Sequence, residues 1–263
     1  MKYYVVDAFA SRLFEGSPTG VCILNKWPGD DILLKIAEEN ALPETAFCVK
    51  SEDVYQIRWF APNAEVDLCG HATLAAAFVI SRFMEINANV IKFSSMSGLL
   101  QVIRYGDLFE LDLPARVPRP SSIFAELIEA MGGTVPSEVY VSRDYFLVYD
   151  CVETIKNIKP DFAKMATLEY GDGVIISAVG IETDFVTRAF FPKLQTNEDP
   201  VCGSAHCNLI PFWAERLGKD EMLSYQMSKR GATVYCRNEN DRVKIAGRVI
   251  LYSEANLFVP ELD

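Results

Sequence analysis

Short runs of β-branched and aromatic residues alternate along the chain with two stretches that are apolar on every side. Lys2–Phe9, Val21–Leu24, Thr45–Val49 and Tyr55–Phe60 read as strands, with Gly16-Ser17-Pro18-Thr19-Gly20 as a turn between the first two. Asp30 is placed to cap a helix running to Asn40, with Ile32, Leu33, Ile36 and Ala37 on one face, and Leu42-Pro43 stops it. Val90–Ser94, Leu99–Tyr105 and Leu108–Leu113 give three more strands before Val117-Pro118-Arg119-Pro120, the predicted domain junction. Beyond it come a helix at Ser121–Met131, capped by serine and closed by Gly132-Gly133, and strands at Val139–Val141 and Tyr145–Tyr149. A helical patch at Pro160–Thr167 precedes strands at Val174–Ala178 and Phe185–Phe191. Leu223–Met227, Ala232–Arg237, Arg242–Ala246 and Val249–Tyr252 make a β-rich end.

The two wholly apolar stretches each follow a Cys-Gly step. Cys69-Gly70-His71-Ala72-Thr73 runs into Leu74–Ile80, and Cys202-Gly203-Ser204-Ala205 runs into Asn208–Leu217, closed by Gly218. The resemblance extends upstream. Arg58-Trp59-Phe60-Ala61-Pro62 returns 130 positions later as Arg188-Ala189-Phe190-Phe191-Pro192, and Cys69 returns as Cys202 after 133, so three residues are inserted between. Two echoes in one order, each with its helix, predict a duplicated unit. Strands curling around each apolar helix would bury it on all sides. The fold class predicted is α+β, two pseudo-symmetric domains of residues 1–117 and 118–263. Each is a curled, mostly antiparallel β-barrel around a central helix, and the last stretch crosses back to the first domain.

A helix that starts at glycine leaves its first N–H groups unpaired and its positive dipole end outward, a site for a carboxylate or phosphate. Gly70 and Gly203 are therefore candidate anion-binding positions, with Cys69, His71 and Ser204 beside them.

The net charge of −11 argues against nucleic acid or an anionic membrane as partner, both of which need clustered cations. No apolar run reaches the roughly 18–20 residues of a membrane-spanning helix. The seven cysteines are odd in number and dispersed, without a C-x-x-C pair. They fit free thiols in a reducing cytoplasm, and the amino terminus reads as a strand rather than a leader. Cys202, His206 and Cys207 lack a fourth ligand at suitable spacing, so no metal is predicted. Nucleotide-binding loops and serine-nucleophile elbows are absent, and no cofactor is expected.

Val6-Asp7-Ala8-Phe9 with Gly16-Ser17-Pro18, then Glu44-Thr45-Ala46-Phe47, Cys69-Gly70-His71-Ala72-Thr73 and Glu198-Asp199-Pro200-Val201-Cys202-Gly203-Ser204-Ala205 resemble the phenazine-biosynthesis PhzF-like family, within the diaminopimelate-epimerase-like fold. The resemblance spans nearly the whole chain. It implies a homodimer with isomerase-type proton chemistry without metal or organic cofactor, and the helix starts make a small carboxylated metabolite the expected substrate. Glu44 is implied as the general acid/base, with His71 and Asp199 assisting and Gly70, Gly203 and Ser204 binding substrate. One departure matters. Phenazine-type members usually carry threonine where this chain has Cys202, whereas the related epimerases place catalytic cysteines at the positions of Cys69 and Cys202.

Each of these residues also has an ordinary reading. Glu44 would be a solvated turn carboxylate, His71 a helix-cap imidazole, Asp199 a turn cap ahead of Pro200, and the cysteines small buried hydrophobes. Three functions follow: an isomerase using Glu44, a two-thiol racemase or epimerase using Cys69 and Cys202, and a non-catalytic metabolite-binding protein.

Overall fold

Every residue from His71 to Ser81 in the Gly70–Phe83 helix is buried, so this helix has no solvent face and needs walls on all sides. The computed structural model, which describes residues 1–86 and 88–259, supplies them with strands. Two compact units are present, one of Met1–Asp112 with the chain from Ala246 on, the other of Leu113–Ile245.

The first unit contains β1 (Lys2–Ala8), β2 (Ser17–Leu24), α1 (Asp30–Asn40), β3 (Glu44–Ser51), β4 (Val54–Ala61), β5 (Ala64–Val66), α2 (Gly70–Phe83), β6 (Val90–Ser95), β7 (Gly98–Tyr105) and β8 (Leu108–Pro114). The second contains β9 (Arg119–Ser121), α3 (Ala125–Ala130), β10 (Glu138–Val141), β11 (Tyr145–Val148), α4 (Val152–Asn157), α5 (Phe162–Ala166), β12 (Val174–Val179), β13 (Phe185–Phe190), α6 (Gly203–Leu217), β14 (Glu221–Gln226) and β15 (Ala232–Glu239). The last strand, β16 (Arg242–Asn256), starts in the second unit and ends in the first.

In the first unit the strand order is β1-β2-β3-β4-β6-β7-β8-β16, and β16 pairs back onto β1 to close an eight-stranded barrel. Tyr4 of β1 stacks on Phe83 and Phe109 of β8 meets Phe78 edge-on, so strands on either side of β16 grip α2. In the second unit the order is β9-β10-β11-β12-β13-β14-β15-β16. There Trp213 of α6 donates to Ser177 of β12 at 2.9 Å, and Phe212 packs edge-on against Tyr140 of β10 and Phe146 of β11.

The duplication shows in the pairing itself. β1–β2, β3–β4 and β6–β7 are antiparallel, with β2–β3 and β4–β6 parallel between them. The series β10–β11, β12–β13 and β14–β15 is likewise antiparallel, with β11–β12 and β13–β14 parallel. The three inserted residues fall where a 3-10 turn at Pro192–Leu194 stands between β13 and the second Cys-Gly step.

Several local expectations are overruled by tertiary partners. Gly20 lies inside β2 rather than in a turn, because a Cβ there would sit 2.3 Å from the Tyr3 hydroxyl. Asp30 does not cap α1: Gly29 is the N-cap, and the Asp30 carboxylate accepts from Arg58 Nη1 at 2.7 Å. The helix expected over Ser121–Met131 shrinks to α3, since Arg119–Ser121 pairs as a strand with β10. Arg242–Ala246 and Val249–Tyr252 are one strand. Gly247 passes through it because a Cβ there would lie 2.4 Å from the Phe9 ring.

At Gly173 an added Cβ would meet the Phe190 carbonyl oxygen at 2.0 Å, a backbone atom that cannot rotate away. Gly173→Ala is expected to destabilise the protein by about 1–3 kcal/mol or more, read from urea unfolding at unchanged m-value.

Candidate active site

The first-unit site is assembled by two elements. β3 begins at Glu44, just after the Leu42-Pro43 stop, and α2 begins at Gly70 with Cys69 as its N-cap and no side-chain cap. Glu44 Oε2 lies 2.8 Å from His71 Nε2. The contact is close, yet this buried oxygen has no aligned hydrogen bond. Cys69 Sγ lies 3.5 Å from His71 Nε2 and 3.7 Å from Nδ1.

The second-unit counterpart sits at the start of α6. Cys202 Sγ lies 3.3 Å from Ser204 Oγ, as Cys69 Sγ lies beside His71. Asp199 Oδ1 accepts from the Val201 N–H at 3.0 Å, forming a turn ahead of the helix. Gln226 at the end of β14 holds this loop from both sides. Its Oε1 accepts from the Cys202 N–H at 2.9 Å and its Nε2 donates to the Asp199 carbonyl at 2.7 Å.

The two helix starts share supports that sequence reading only partly found. Arg58 forks onto Glu65 at 2.7 and 2.6 Å, and Arg188 forks onto Glu198 at 2.7 and 3.1 Å. The guanidinia also lie over Phe60 and Phe190 at 5.1 and 4.9 Å. Ser97 donates to the Asp67 carbonyl and Ser228 to the Pro200 carbonyl, each at 2.8 Å. The arginine echo was visible in the sequence. Its glutamate partners were hidden by the three-residue insertion, and Gln226, Ser97 and Ser228 carry no local signal.

The duplication breaks at the acid. Thr45 pairs with Phe60 in the first unit and Val174 with Phe190 in the second, so Glu44 corresponds to Gly173. Only the first unit carries a carboxylate there, and the second has no space for one.

Both helix-start thiols are held above the ordinary cysteine range, although a helix N-terminus by itself lowers a thiol's pKa. Burial raises Cys69, and the Glu44 charge adds to it; His71 and the Ala72 N–H pull the other way and lose. Burial likewise raises Cys202 well above its usual value, with Asp199 adding and Ser204 opposing. For His71, burial opposes the charged form, but Cys69 first and Glu44 next overcome it and hold the imidazole well above its ordinary value.

His206 is different. Nδ1 faces the Cys202 carbonyl at 2.8 Å and Nε2 faces Ser224 Oγ at 3.1 Å, and burial lowers its pKa to about 4. It is a packing residue and offers no free nitrogen to a metal. Glu44, Cys69 and His71 do bring three donor atoms within 4.8 Å of one another, enough for three ligands of an ion. The raised thiol is a poor ligand until deprotonated.

A phenazine biosynthesis-like family model matches residues 6–255. This chain belongs to that family. It is 43% identical over 258 residues to an uncharacterized isomerase of Pseudomonas aeruginosa, covering 98% of each chain. A second uncharacterized isomerase, from Halalkalibacterium halodurans, is 39% identical over 97% of this chain and 98% of its own. The crystal structure of a phenazine biosynthesis protein of the PhzF family from Enterococcus faecalis superposes with a TM-score of 0.96 at 44% identity, over 98% of this chain and 99% of that one. The fold is the diaminopimelate-epimerase-like fold. Among the described residues, no helix is long and apolar enough to cross a membrane.

The two histidines are expected to titrate on opposite sides of neutrality in 15N NMR. His206 should stay neutral down to pH about 4, whereas His71 should remain protonated above neutrality and fall when Glu44 becomes glutamine. The linkage signs differ accordingly. A native His71 that binds its proton more tightly than the unfolded chain contributes stability below the unfolded pKa of about 6.5, lost as pH rises through the native value. His206 makes stability rise with pH between about 4 and the unfolded value. Exposed Cys151, whose pKa is lowered by Thr154, should alkylate before Cys69 and Cys202 at neutral pH.

Proposed function

We propose that this protein is an isomerase that moves a proton on a small carboxylated metabolite, with Glu44 as the general acid/base. The observation that carries this reading is the Glu44–His71 pair: a buried carboxylate oxygen 2.8 Å from an imidazole, without an aligned hydrogen bond, at the uncapped start of α2. The isomerase names of its relatives support the reaction class.

The substrate carboxylate is assigned to the backbone N–H groups at the helix starts, at Gly70 in the first unit or at Gly203 with Ser204 in the second. Either start can receive an anion by its own physics. Donors fixed on that carboxylate favour charge developing at the adjacent carbon. Glu44 takes the proton, and His71, as an imidazolium, steadies negative charge on the substrate. Asp199 is assigned to orienting an anion at the Gly203 start, from the loop that Gln226 holds. One acid/base with no counterpart at Gly173 returns its proton to the face it came from, or passes it along a conjugated system.

The two-thiol route fares worse because both thiols are buried and held above their ordinary range. Glu44→Gln should cost about 10²–10⁴-fold in turnover, and Cys69→Ser with Cys202→Thr far less. A panel of small carboxylates in deuterated water, read by mass, supplies the assay. A dead double-cysteine variant beside a near-normal Glu44→Gln would replace this mechanism by the epimerase one. Ligand that binds without ever taking up deuterium would make the protein a binder.

A further inference from the structure

Three chemically different donors meet at the start of α2. Glu44 Oε2 lies 2.8 Å from His71 Nε2, Cys69 Sγ lies 3.5 Å from the same nitrogen, and all three atoms fall within 4.8 Å of one another. Glu44 comes from the head of β3, Cys69 and His71 from the start of α2. Packing of two elements therefore builds the cluster, not the course of one loop.

Contacts among the three residues leave one atom over. Glu44 Oε2 is buried without an aligned hydrogen bond, and among the described residues no lysine or arginine pairs with Glu44. A buried acceptor left unmet costs about 1–3 kcal/mol, which a cation shared with the two neighbours would offset. The Glu44 side chain is 22% exposed against 8% for His71, so an ion would enter past the carboxylate.

The spacing suits a small tetrahedral ion. Zinc bonds of about 2.0–2.1 Å to nitrogen and oxygen and about 2.3 Å to sulfur hold neighbouring ligands about 3.3–3.6 Å apart. The sulfur–nitrogen separation is already of that size. The oxygen–nitrogen one must open by about half an ångström, within reach of a partly exposed carboxylate.

The donor set also selects the ion. Calcium and magnesium take oxygen ligands, whereas thiolate, imidazole and carboxylate together suit zinc. Three protein ligands leave the fourth position to water. On binding, the thiol proton of Cys69 and the Nε2 proton of His71 pass to solvent, and each atom gives its freed lone pair to the ion. The second unit offers no equivalent: Cys202 meets Ser204, Gly173 replaces the acid, and both nitrogens of His206 are engaged.

We propose that Glu44, Cys69 and His71 form a binding site for a thiophilic divalent cation of the zinc class, which blocks the pair it occupies. With the ion in place Glu44 takes no proton and His71 carries no charge. Binding rests on the geometry of the three donors; only loss of turnover rests on Glu44 being the general acid/base.

The test uses the full chain with Cys151→Ser, which removes the exposed thiol, and Co²⁺ as the spectroscopic substitute for Zn²⁺. One equivalent of Co²⁺ should bind with a thiolate-to-cobalt charge-transfer band and the intense visible bands of tetrahedral cobalt, and Zn²⁺ should displace it. In 15N NMR, Zn²⁺ should move the His71 Nε2 resonance and leave those of His206. Cys69→Ser should abolish the charge-transfer band. Glu44→Gln should weaken binding by at least the roughly 10–100-fold that a change outside the ligand shell already costs a metal site, whereas Cys202→Ser should bind as the parent does. No charge-transfer band in the parent would overturn the proposal, as would folded Glu44→Gln that binds Co²⁺ as tightly as the parent. Zn²⁺ bound through all three residues with undiminished deuterium uptake by a turned-over carboxylate would overturn the blocking role, and with it Glu44 as the acid/base, but not the site.

Discussion

Burial of a helix that is apolar all round is the constraint on which this molecule depends. Neither α2 nor α6 can present a polar face to water, so each must be enclosed by strands, and a sheet long enough to enclose a helix curls around it. An enclosed helix still has ends. At its N-terminus several N–H groups have no intrahelical partner, and here neither Cys69 nor Cys202 caps them with a side-chain hydrogen bond. The packing that stabilises the unit thus leaves a polar end with unmet donors. The fork of Arg58 on Glu65, and of Arg188 on Glu198, braces the strand before each helix against the loop that leads into it.

Duplication supplied two such ends, and side-chain divergence gave them different chemistry. The first has a carboxylate and an imidazole, Glu44 and His71. The second has a hydroxyl at Ser204, and at Gly173 a glycine whose missing Cβ would strike a backbone oxygen. His206, which corresponds to Thr73, turns inward to Cys202 and Ser224 and is spent on packing. The proposed use of a single acid/base follows from this asymmetry.

Magnitudes decide the state of the thiols. A helix N-terminus favours an anion by typically 0.3–1 kcal/mol, rising to about 2 in favourable sites. Full burial can move an ionisable group by about 3–5 pK units, and each unit is about 1.4 kcal/mol. Desolvation therefore outweighs the dipole at both Cys69 and Cys202, and the neighbouring carboxylates push the same way. A cysteine at a helix start is reactive only where water also reaches it.

The sequence by itself determined the duplication, the two central helices and the glycines at which each begins. Hydrophobic periodicity and the Cys-Gly steps are local, and they survive in the order of residues. It also placed Glu44 at the head of its strand and His71 in the first turn of its helix. Only tertiary structure could bring those two within 2.8 Å, since the distance between residues 44 and 71 is set by how β3 packs against α2. The same holds for Gln226 behind Asp199 and for the Arg116 N–H on the Cys207 carbonyl, which Pro211 inside α6 leaves without its helical donor. Asp30 was misread as a cap for the same reason: a side chain 28 residues away competes for it, and local propensity cannot weigh a partner it does not contain.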